Sequence, residues 1–161
     1  MALSASVLQA AELEEYQVKA GFLLNFIKLS SFSESEQIIA DNNKIDVCIS
    51  ELGSDEKYFM ALGGRELKDR TVEVHENFTP DCEVGFLSEG ANASERRAFF
   101  EMTKKGSFLG VVESEDDFSK GGILLLTRSQ SRVGFAVSMK RLKKSEVKLS
   151  SQLLRLADIR E

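Results

Sequence analysis

The stretch EYQVKAGFLLNFIKL, from Glu15 to Leu29, decides the fold. At about 100° per residue, Gln17, Gly21 and Asn25 fall on one narrow polar stripe, and apolar residues cover most of the remaining surface. A helix that is apolar over more than half of its girth must be covered on more than one side. The pattern therefore predicts a central helix that begins near Val7 and ends at about Ser30, around which the other layers pack.

Downstream of this helix, short apolar segments alternate with helical segments. Four strands are predicted at 44–50, 71–76, 82–88 and 108–112, followed by an antiparallel hairpin of 123–126 and 133–137. Helices are predicted at 54–62, 93–105, 139–144 and 151–159, whereas 30–43 and the acidic segment 113–117 are interpreted as loops. Strands that alternate with helices indicate an α/β fold of three layers. We expect a mostly parallel mixed sheet of about six strands with helices on both faces.

The length and composition of the chain are those of a single domain. With 161 residues and a single proline, the chain has the usual size of a domain, and we interpret 1–161 as a single domain. Residues 1–9 are interpreted as the start of the first helix or as the remnant of a removed leader. The net charge of −5 argues against a nucleic-acid partner, which requires a basic stripe. No segment approaches the ~18 apolar residues of a membrane span.

Lys19 is the one charged residue on the apolar side of the first helix. One interpretation is a pair with Glu15 one turn earlier, in which the lysine stem covers apolar surface while the ammonium reaches solvent. The other is that Lys19 reaches the end of the sheet, where it holds backbone carbonyls or an acidic group of a partner. Both interpretations stay open at this point.

Chemical motifs are scarce. The single histidine, His75, lies in an alternating strand and is interpreted as an ordinary half-exposed residue. The glycine doublets at 63–64 and 121–122 lack the frame of a phosphate-binding loop, and the acidic segment lacks the spacing of a calcium loop. The sequence does not assemble a nucleophile, a base and an orienting group. We therefore expect no catalytic residue, no metal, no cofactor and no enzymatic activity, which also disfavours a hydrolase.

The two cysteines, Cys48 and Cys82, leave two alternatives. They are either buried thiols of a cytosolic protein or one disulfide of an exported protein. The first six residues are too short for a signal peptide and lack a basic region, but a chain whose leader has been removed would look the same.

Both ends of the chain resemble one known family. The opening motif EYQVKAGFLLNFIK (residues 15–28) resembles the E-Y-x-V-K-A-A-F-L-Y-N-F-x-K motif of the YfiR/HmsC-like family. The segments GGI (121–123), VGFAV (133–137) and KLSSQLLRLA (148–157) are similar to its closing module. VCI (47–49) and DCEVGFLS (81–88) are similar to its cysteine-bearing strands. The resemblance extends from about residue 14 to 158.

This resemblance implies a periplasmic protein of Gram-negative bacteria. Studied members repress an inner-membrane diguanylate cyclase by binding its periplasmic domain, and so restrain cyclic-di-GMP synthesis and biofilm formation. They tend to form homodimers and are not enzymes. Release of the cyclase from repression is linked to redox state and to an outer-membrane lipoprotein partner. The resemblance also implies a disulfide between Cys48 and Cys82, which match positions that the family bridges.

Seven further residues are singled out. Glu15, Lys19 and Asn25 belong to the opening motif and are expected to have a structural or functional polar role, structural first for Lys19. Gln17, Arg141, Lys143 and Lys144 are expected to form part of a protein–protein interface together with the exposed stripe of the helix. The alternative function is a small-molecule-binding sensor module with a pocket at the carboxyl ends of the strands.

Overall fold

The computed structural model of the protein describes the backbone of residues 2–32 and 43–161, and the side chains of residues 15–32 and 43–161. The helices of this part are α1 (Ala2–Lys28), α2 (Glu56–Met60), α3 (Ala93–Met102), α4 (Glu115–Lys120), α5 (Met139–Lys144) and α6 (Ser151–Leu156). A 3-10 turn, Gly53–Asp55, precedes α2. The strands are β1 (Ser30–Ser31), β2 (Lys44–Ile49), β3 (Glu66–Leu67), β4 (Arg70–His75), β5 (Val84–Leu87), β6 (Leu109–Val112), β7 (Leu124–Ser129), β8 (Arg132–Ser138), β9 (Lys148–Leu149) and β10 (Asp158–Arg160).

Eight strands form one mixed sheet in the order β10-β8-β7-β6-β5-β2-β4-β3. Strands β4, β2, β5, β6 and β7 run parallel to one another, β7 and β8 form the predicted antiparallel hairpin, and β10 returns parallel to β8. Strands β1 and β9 pair separately as a two-stranded ribbon. The α/β fold and the mostly parallel mixed sheet are thus confirmed.

Two apolar cores lie on opposite faces of the main sheet. The first joins α1, α2, α5 and α6 to one face, and the second joins α3 and α4 to the other. Alternation along β7 shows the division, because Leu124 and Leu126 belong to the first core and Leu125 to the second. Strands that are covered on both faces read as continuous apolar runs, which explains why β5, β6 and β7 were recognisable from the sequence.

Helix α1 contributes to the first core, as predicted, but it lies on one face of the sheet, so the other layers do not pack around it as the sequence analysis expected. Leu23 and Phe26 have no exposed surface, and the Phe26 ring meets Phe135 of β8 edge-on at 5.0 Å between centroids. The polar stripe that includes Gln17 and Asn25 faces solvent. This burial fixes the helix against the sheet, so that its other side chains have defined positions.

Side-chain caps start the last four helices. Asn92 caps α3 in a capping box with Glu95, and serines at positions 114, 138 and 150 cap α4, α5 and α6 by accepting a backbone N–H three residues later. A cap satisfies amide groups that have no partner inside the helix and contributes about 1 kcal/mol.

Several predicted boundaries were wrong. The sheet has eight strands rather than six, because the two- and three-residue strands β3 and β10 were not predicted. The acidic segment 113–117 was interpreted as a loop, but its second half opens α4. The last helix ends at Leu156 rather than at Ile159, which lies in β10. Helix α1 begins at Ala2 rather than near Val7, and most of the predicted loop 30–43 lies outside the described residues.

Candidate functional site

Polar residues gather where three parallel strands end. Ser50 follows β2, Ser88 follows β5, and Glu113 follows β6. The two serine hydroxyls lie 3.0 Å apart, and the Ser88 amide donates to the Ser50 hydroxyl at 2.8 Å. The carboxyl ends of parallel strands are the usual position for a binding site in an α/β sheet. This end of the sheet is therefore where side chains singled out by the sequence are expected to converge.

Lys19 and Glu113 connect α1 to this end of the sheet. Lys19 Nζ lies 3.0 Å from Glu113 Oε1, and both side chains are more than nine-tenths buried. Glu113 also accepts a hydrogen bond from the Glu89 amide at 2.8 Å. Lys19 thus reaches the end of the sheet, as one of the two interpretations predicted. Its contact there is a carboxylate of the same chain, Glu113, rather than backbone carbonyls or an acidic group of a partner.

Glu15 extends the ion pair into an alternating row of charges. Its Oε1 atom lies 3.9 Å from Lys19 Nζ and 3.2 Å from Nε of Arg128 in β7. The pairing of Glu15 with Lys19 that the other interpretation predicted is present as the longer of the two ion pairs of Lys19. That interpretation was wrong about the ammonium, which does not reach solvent, because only 9% of the Lys19 side chain is exposed. Charges of opposite sign alternate along the row Arg128–Glu15–Lys19–Glu113, which allows Lys19 and Glu113 to be buried.

Tyr16 covers the same cluster. The Lys19 ammonium lies 4.9 Å from the centre of the Tyr16 ring, and the Tyr16 hydroxyl donates to Glu113 Oε2 at 3.5 Å. Burial, followed by the negative charges of Glu113 and Glu15, raises the pKa of the Tyr16 phenol far above its ordinary value. Tyr16 is therefore a neutral hydrogen-bond donor throughout the physiological pH range.

These residues line an open cleft of about 430 Å³. Its walls combine four carboxylates, three cations, a phenol and a short apolar floor. The lining residues are Glu15, Tyr16, Lys19, Glu89, Glu113, Glu115, Leu125, Leu126, Thr127, Arg128 and Arg160. We call this space the acidic–basic cleft.

The acidic–basic cleft is lined mainly by charged and hydrogen-bonding side chains. Its lining residues include neither histidine nor cysteine, and its two most buried charges, Lys19 and Glu113, are already paired with each other. Arg128 is the most exposed cation of the row, and 63% of its side chain is accessible. Arg160 pairs with Glu115 at 2.8 Å on the other side of the cleft. A bound molecule with both charge signs would find partners on both sides.

The predicted interface residues divide into two groups. Gln17, Asn25, Lys143 and Lys144 are exposed. The guanidinium of Arg141 is instead engaged within the chain, because it donates to the carbonyls of Phe118, Ser119 and Gly122. These are the last carbonyls of α4 and the turn after it, so Arg141 fixes the end of that helix.

A second cleft of about 340 Å³ adjoins the basic turn 141–144. Five of its lining side chains are cationic, namely Lys104, Lys105, Lys120, Arg141 and Lys144. We call it the basic cleft. Lys104, just after α3, pairs with Glu101 of that helix, Lys120 pairs with Asp116 within α4, and Lys105 donates to the carbonyl of Pro80.

The structure contains the Cys48–Cys82 disulfide that the resemblance implied. Cys48 lies near the end of β2 and Cys82 two residues before β5, which is its neighbour in the sheet. Both cysteines are buried in the second core. The bridge closes a separation of 34 residues and attaches the turn before β5 to β2.

Sequence reasoning missed most of the lining of the acidic–basic cleft. Glu113 was assigned to a solvated loop, yet its side chain is only 3% exposed. Arg96, which the sequence analysis did not single out, pairs with the buried Asp117. A usable signal existed for Glu113, because it is the first polar residue after the apolar strand 108–112. Nothing in the sequence indicated Arg128, whose partner Glu15 is distant in the chain.

Together, these features describe an α/β protein with a single disulfide and two polar clefts. No helix among the described residues is both long and apolar enough to cross a membrane. A family model described as YfiR/HmsC-like matches residues 16–158. The chain belongs to the YfiR/HmsC-like family, which is known for periplasmic regulation. A search of the curated proteins found no match.

Proposed function

We propose that the protein is a periplasmic repressor that binds the periplasmic domain of an inner-membrane diguanylate cyclase and thereby limits cyclic-di-GMP synthesis. The observation that carries this proposal is the family match over residues 16–158. The Cys48–Cys82 disulfide supports the compartment, because disulfides persist in oxidising environments such as the periplasm. Repression needs no chemistry at the site. It requires only that the protein bind the inactive state of the cyclase more tightly than the active state.

The exposed stripe of α1 and the basic turn 141–144 are the proposed contact surfaces. Gln17 and Asn25 present amide side chains on the stripe, next to Val18, which is 45% exposed. Lys143 and Lys144 present ammonium groups on α5. An apolar residue surrounded by amide groups suits the centre of an interface, whereas exposed lysines suit its rim.

A binding experiment tests this proposal directly. The purified protein is mixed with the isolated periplasmic domain of a membrane cyclase from the same genome, and complex formation is measured by sedimentation. We expect binding that weakens when Gln17 and Asn25 are both changed to Glu, or when Lys143 and Lys144 are both changed to Glu. The matched control is Arg97→Glu, an exposed charge reversal on α3. No binding to any such domain would overturn the proposal.

A second function is favoured by the acidic–basic cleft. Its position at the carboxyl ends of the strands and its two charge signs suit a zwitterionic small molecule, such as an amino acid or an envelope fragment. A thermal-shift screen of such molecules tests this function. A ligand that stabilises the protein but not Arg128→Ala would support a sensor module, and the absence of any stabilising ligand would count against it.

Further partners are part of the same proposal. We include homodimer formation and an outer-membrane lipoprotein that relieves repression. Exposed hydrophobic side chains support an apolar contact between proteins: Val18, Met60, Leu156 and Ile159. Light scattering across a concentration series tests the dimer, and competition between the lipoprotein and the cyclase domain for the protein tests the release step.

A further inference from the structure

Three potential metal ligands converge where β2 and β4 pair. Asp46 and Glu73 are directly opposite each other in the register of these parallel strands. His75 lies two residues after Glu73, and therefore on the same face of β4. One ligand atom from each residue lies within 4.8 Å of the others. No pattern in the sequence indicated this arrangement, because Asp46 is far from the other two residues in the chain.

The His75 imidazole forms a hydrogen bond with Asp46 and lies farther from Glu73. His75 Nε2 lies 2.8 Å from Asp46 Oδ1 and 3.9 Å from Glu73 Oε1. A tetrahedral zinc ion holds nitrogen and oxygen ligands at about 2.0–2.2 Å, which places them about 3.3 Å from one another. Small rotations of partly exposed side chains are sufficient to reach this geometry.

We propose that Asp46, Glu73 and His75 form a binding site for a divalent transition-metal ion of the zinc type. Two carboxylates match the charge of the ion, and an imidazole nitrogen favours zinc over magnesium or calcium, which prefer oxygen ligands. Three protein ligands leave a fourth position for water, and this position faces solvent because 37% of the His75 side chain is exposed. The inference is independent of the proposed function.

Lys44 pairs with one of the three proposed ligands, Glu73. Its ammonium lies 2.9 Å from Glu73 Oε2, on the side of the carboxylate away from His75. More than half of the Lys44 side chain is exposed, and an exposed ion pair of this kind is worth at most about 1 kcal/mol. Lys44 is therefore a weak competitor that an ion can displace, and its removal should strengthen binding.

The bound ion would connect the two strands next to the disulfide. Cys48 is the register partner of His75, two residues after Asp46 on the same strand. A metal at this place stabilises the β2–β4 pair because a ligand that binds only the folded state raises its stability.

The single histidine makes the test direct. Nitrogen-detected NMR of tag-free protein reports the imidazole of His75 and no other. Addition of one equivalent of Zn²⁺ is expected to shift the Nε2 resonance, whereas Mg²⁺ is expected to leave it unchanged. Unchanged imidazole resonances in excess Zn²⁺ would overturn the proposal, whatever the behaviour of any variant.

Calorimetric titration with Zn²⁺ assigns the ligands. Loss of a hydrogen-bond partner of a metal ligand typically costs about 10–100-fold in affinity, so Asp46→Asn and Glu73→Gln are each expected to weaken binding at least that much. Lys44→Met is expected to strengthen binding, and Lys104→Met, which breaks an exposed ion pair on α3, should leave it unchanged. Equal affinity in the wild type, Asp46→Asn and Glu73→Gln would contradict the site.

Discussion

The Lys19 ammonium lies 3.0 Å from the Glu113 carboxylate, and this buried ion pair joins the first helix to the carboxyl end of strand β6. Residue 19 belongs to the motif that identifies the family, whereas residue 113 was not recognised from the sequence. The pair explains why a charged residue occupies the apolar side of α1. It also places the opening motif at the edge of the acidic–basic cleft.

Removal of Lys19 is expected to destabilise the fold strongly. In Lys19→Met, Glu113 keeps its burial but loses its cation, and the loss of one partner of a buried pair costs about 3–5 kcal/mol. We expect a loss near the lower limit, because the Glu89 amide still donates to Glu113. Urea unfolding measures this change.

The control for this prediction is Lys104→Met. Lys104 forms an ion pair with Glu101 of similar length, but both side chains are more than half exposed, so its loss should cost less than about 1 kcal/mol. The double variant Lys19→Met, Glu113→Gln should lose less free energy of unfolding than the two single variants lose together. The difference, which is the coupling energy of the two side chains, should exceed about 1 kcal/mol. Strict additivity would show that the two side chains do not stabilise each other.

The protonation of Tyr16 predicts a loss of stability in alkali. Burial and the nearby Glu113 raise the pKa of the phenol in the folded state above the ordinary value of 10.0. Above that pH the unfolded chain releases a proton that the folded chain keeps, so the stabilising contribution is present below pH 10 and is lost as pH rises further. Tyr16→Phe should therefore lose less stability than the wild type over this range.

The tyrosinate absorption band measures this effect, because the chain has two tyrosines and no tryptophan. The difference between the titrations of wild type and Tyr16→Phe belongs to Tyr16. Ionisation of that residue at its ordinary pKa in folded protein would contradict the buried position.

The disulfide is expected to contribute about 4 kcal/mol to stability in the chain-entropy model, given its separation of 34 residues. Reduction should lower the urea midpoint of the wild type. The matched control is the double variant Cys48→Ala, Cys82→Ala, whose midpoint should not respond to reductant. Quantitative alkylation of two thiols in unreduced, denatured protein would contradict the bridge.

Gly85 in β5 is expected to reject any side chain. A Cβ atom at this position would lie 2.3 Å from Cζ of Phe108, and overpacking of a filled core typically costs about 1–3 kcal/mol. Gly90→Ala is the control, because no atom lies within 4 Å of its added Cβ. Equal thermal stability of the two variants would show that the Phe108 ring moves away at no cost.

The elements that the sequence predicted well are those with long or strongly apolar patterns. The four strands at the centre of the sheet are covered on both faces, so almost every residue carries a signal, and helix α1 has a long apolar surface beside one exposed polar stripe. Strands β3 and β10 have only two and three residues. Such segments show no periodicity, and they pair because neighbouring strands present an open edge.

The candidate site was predicted only in part, for a related reason. Lys19 was conspicuous because a charge on an apolar helix face is unusual. Its partner Glu113 and the next cation, Arg128, are separated from α1 by most of the chain, and only the register of β6 and β7 brings them together. His75 was conspicuous only as the single histidine, and its neighbours Asp46 and Glu73 became visible through the pairing of β2 with β4.

The most direct test of the account is the cellular concentration of cyclic-di-GMP. It is measured in a strain that lacks the gene and in the same strain complemented with the exported protein. The account predicts a higher concentration in the deletion strain, restoration by the wild type, and weaker restoration when Lys143 and Lys144 are both changed to Glu, with Arg97→Glu as the control. An unchanged concentration after deletion, with the cyclase present, would contradict it.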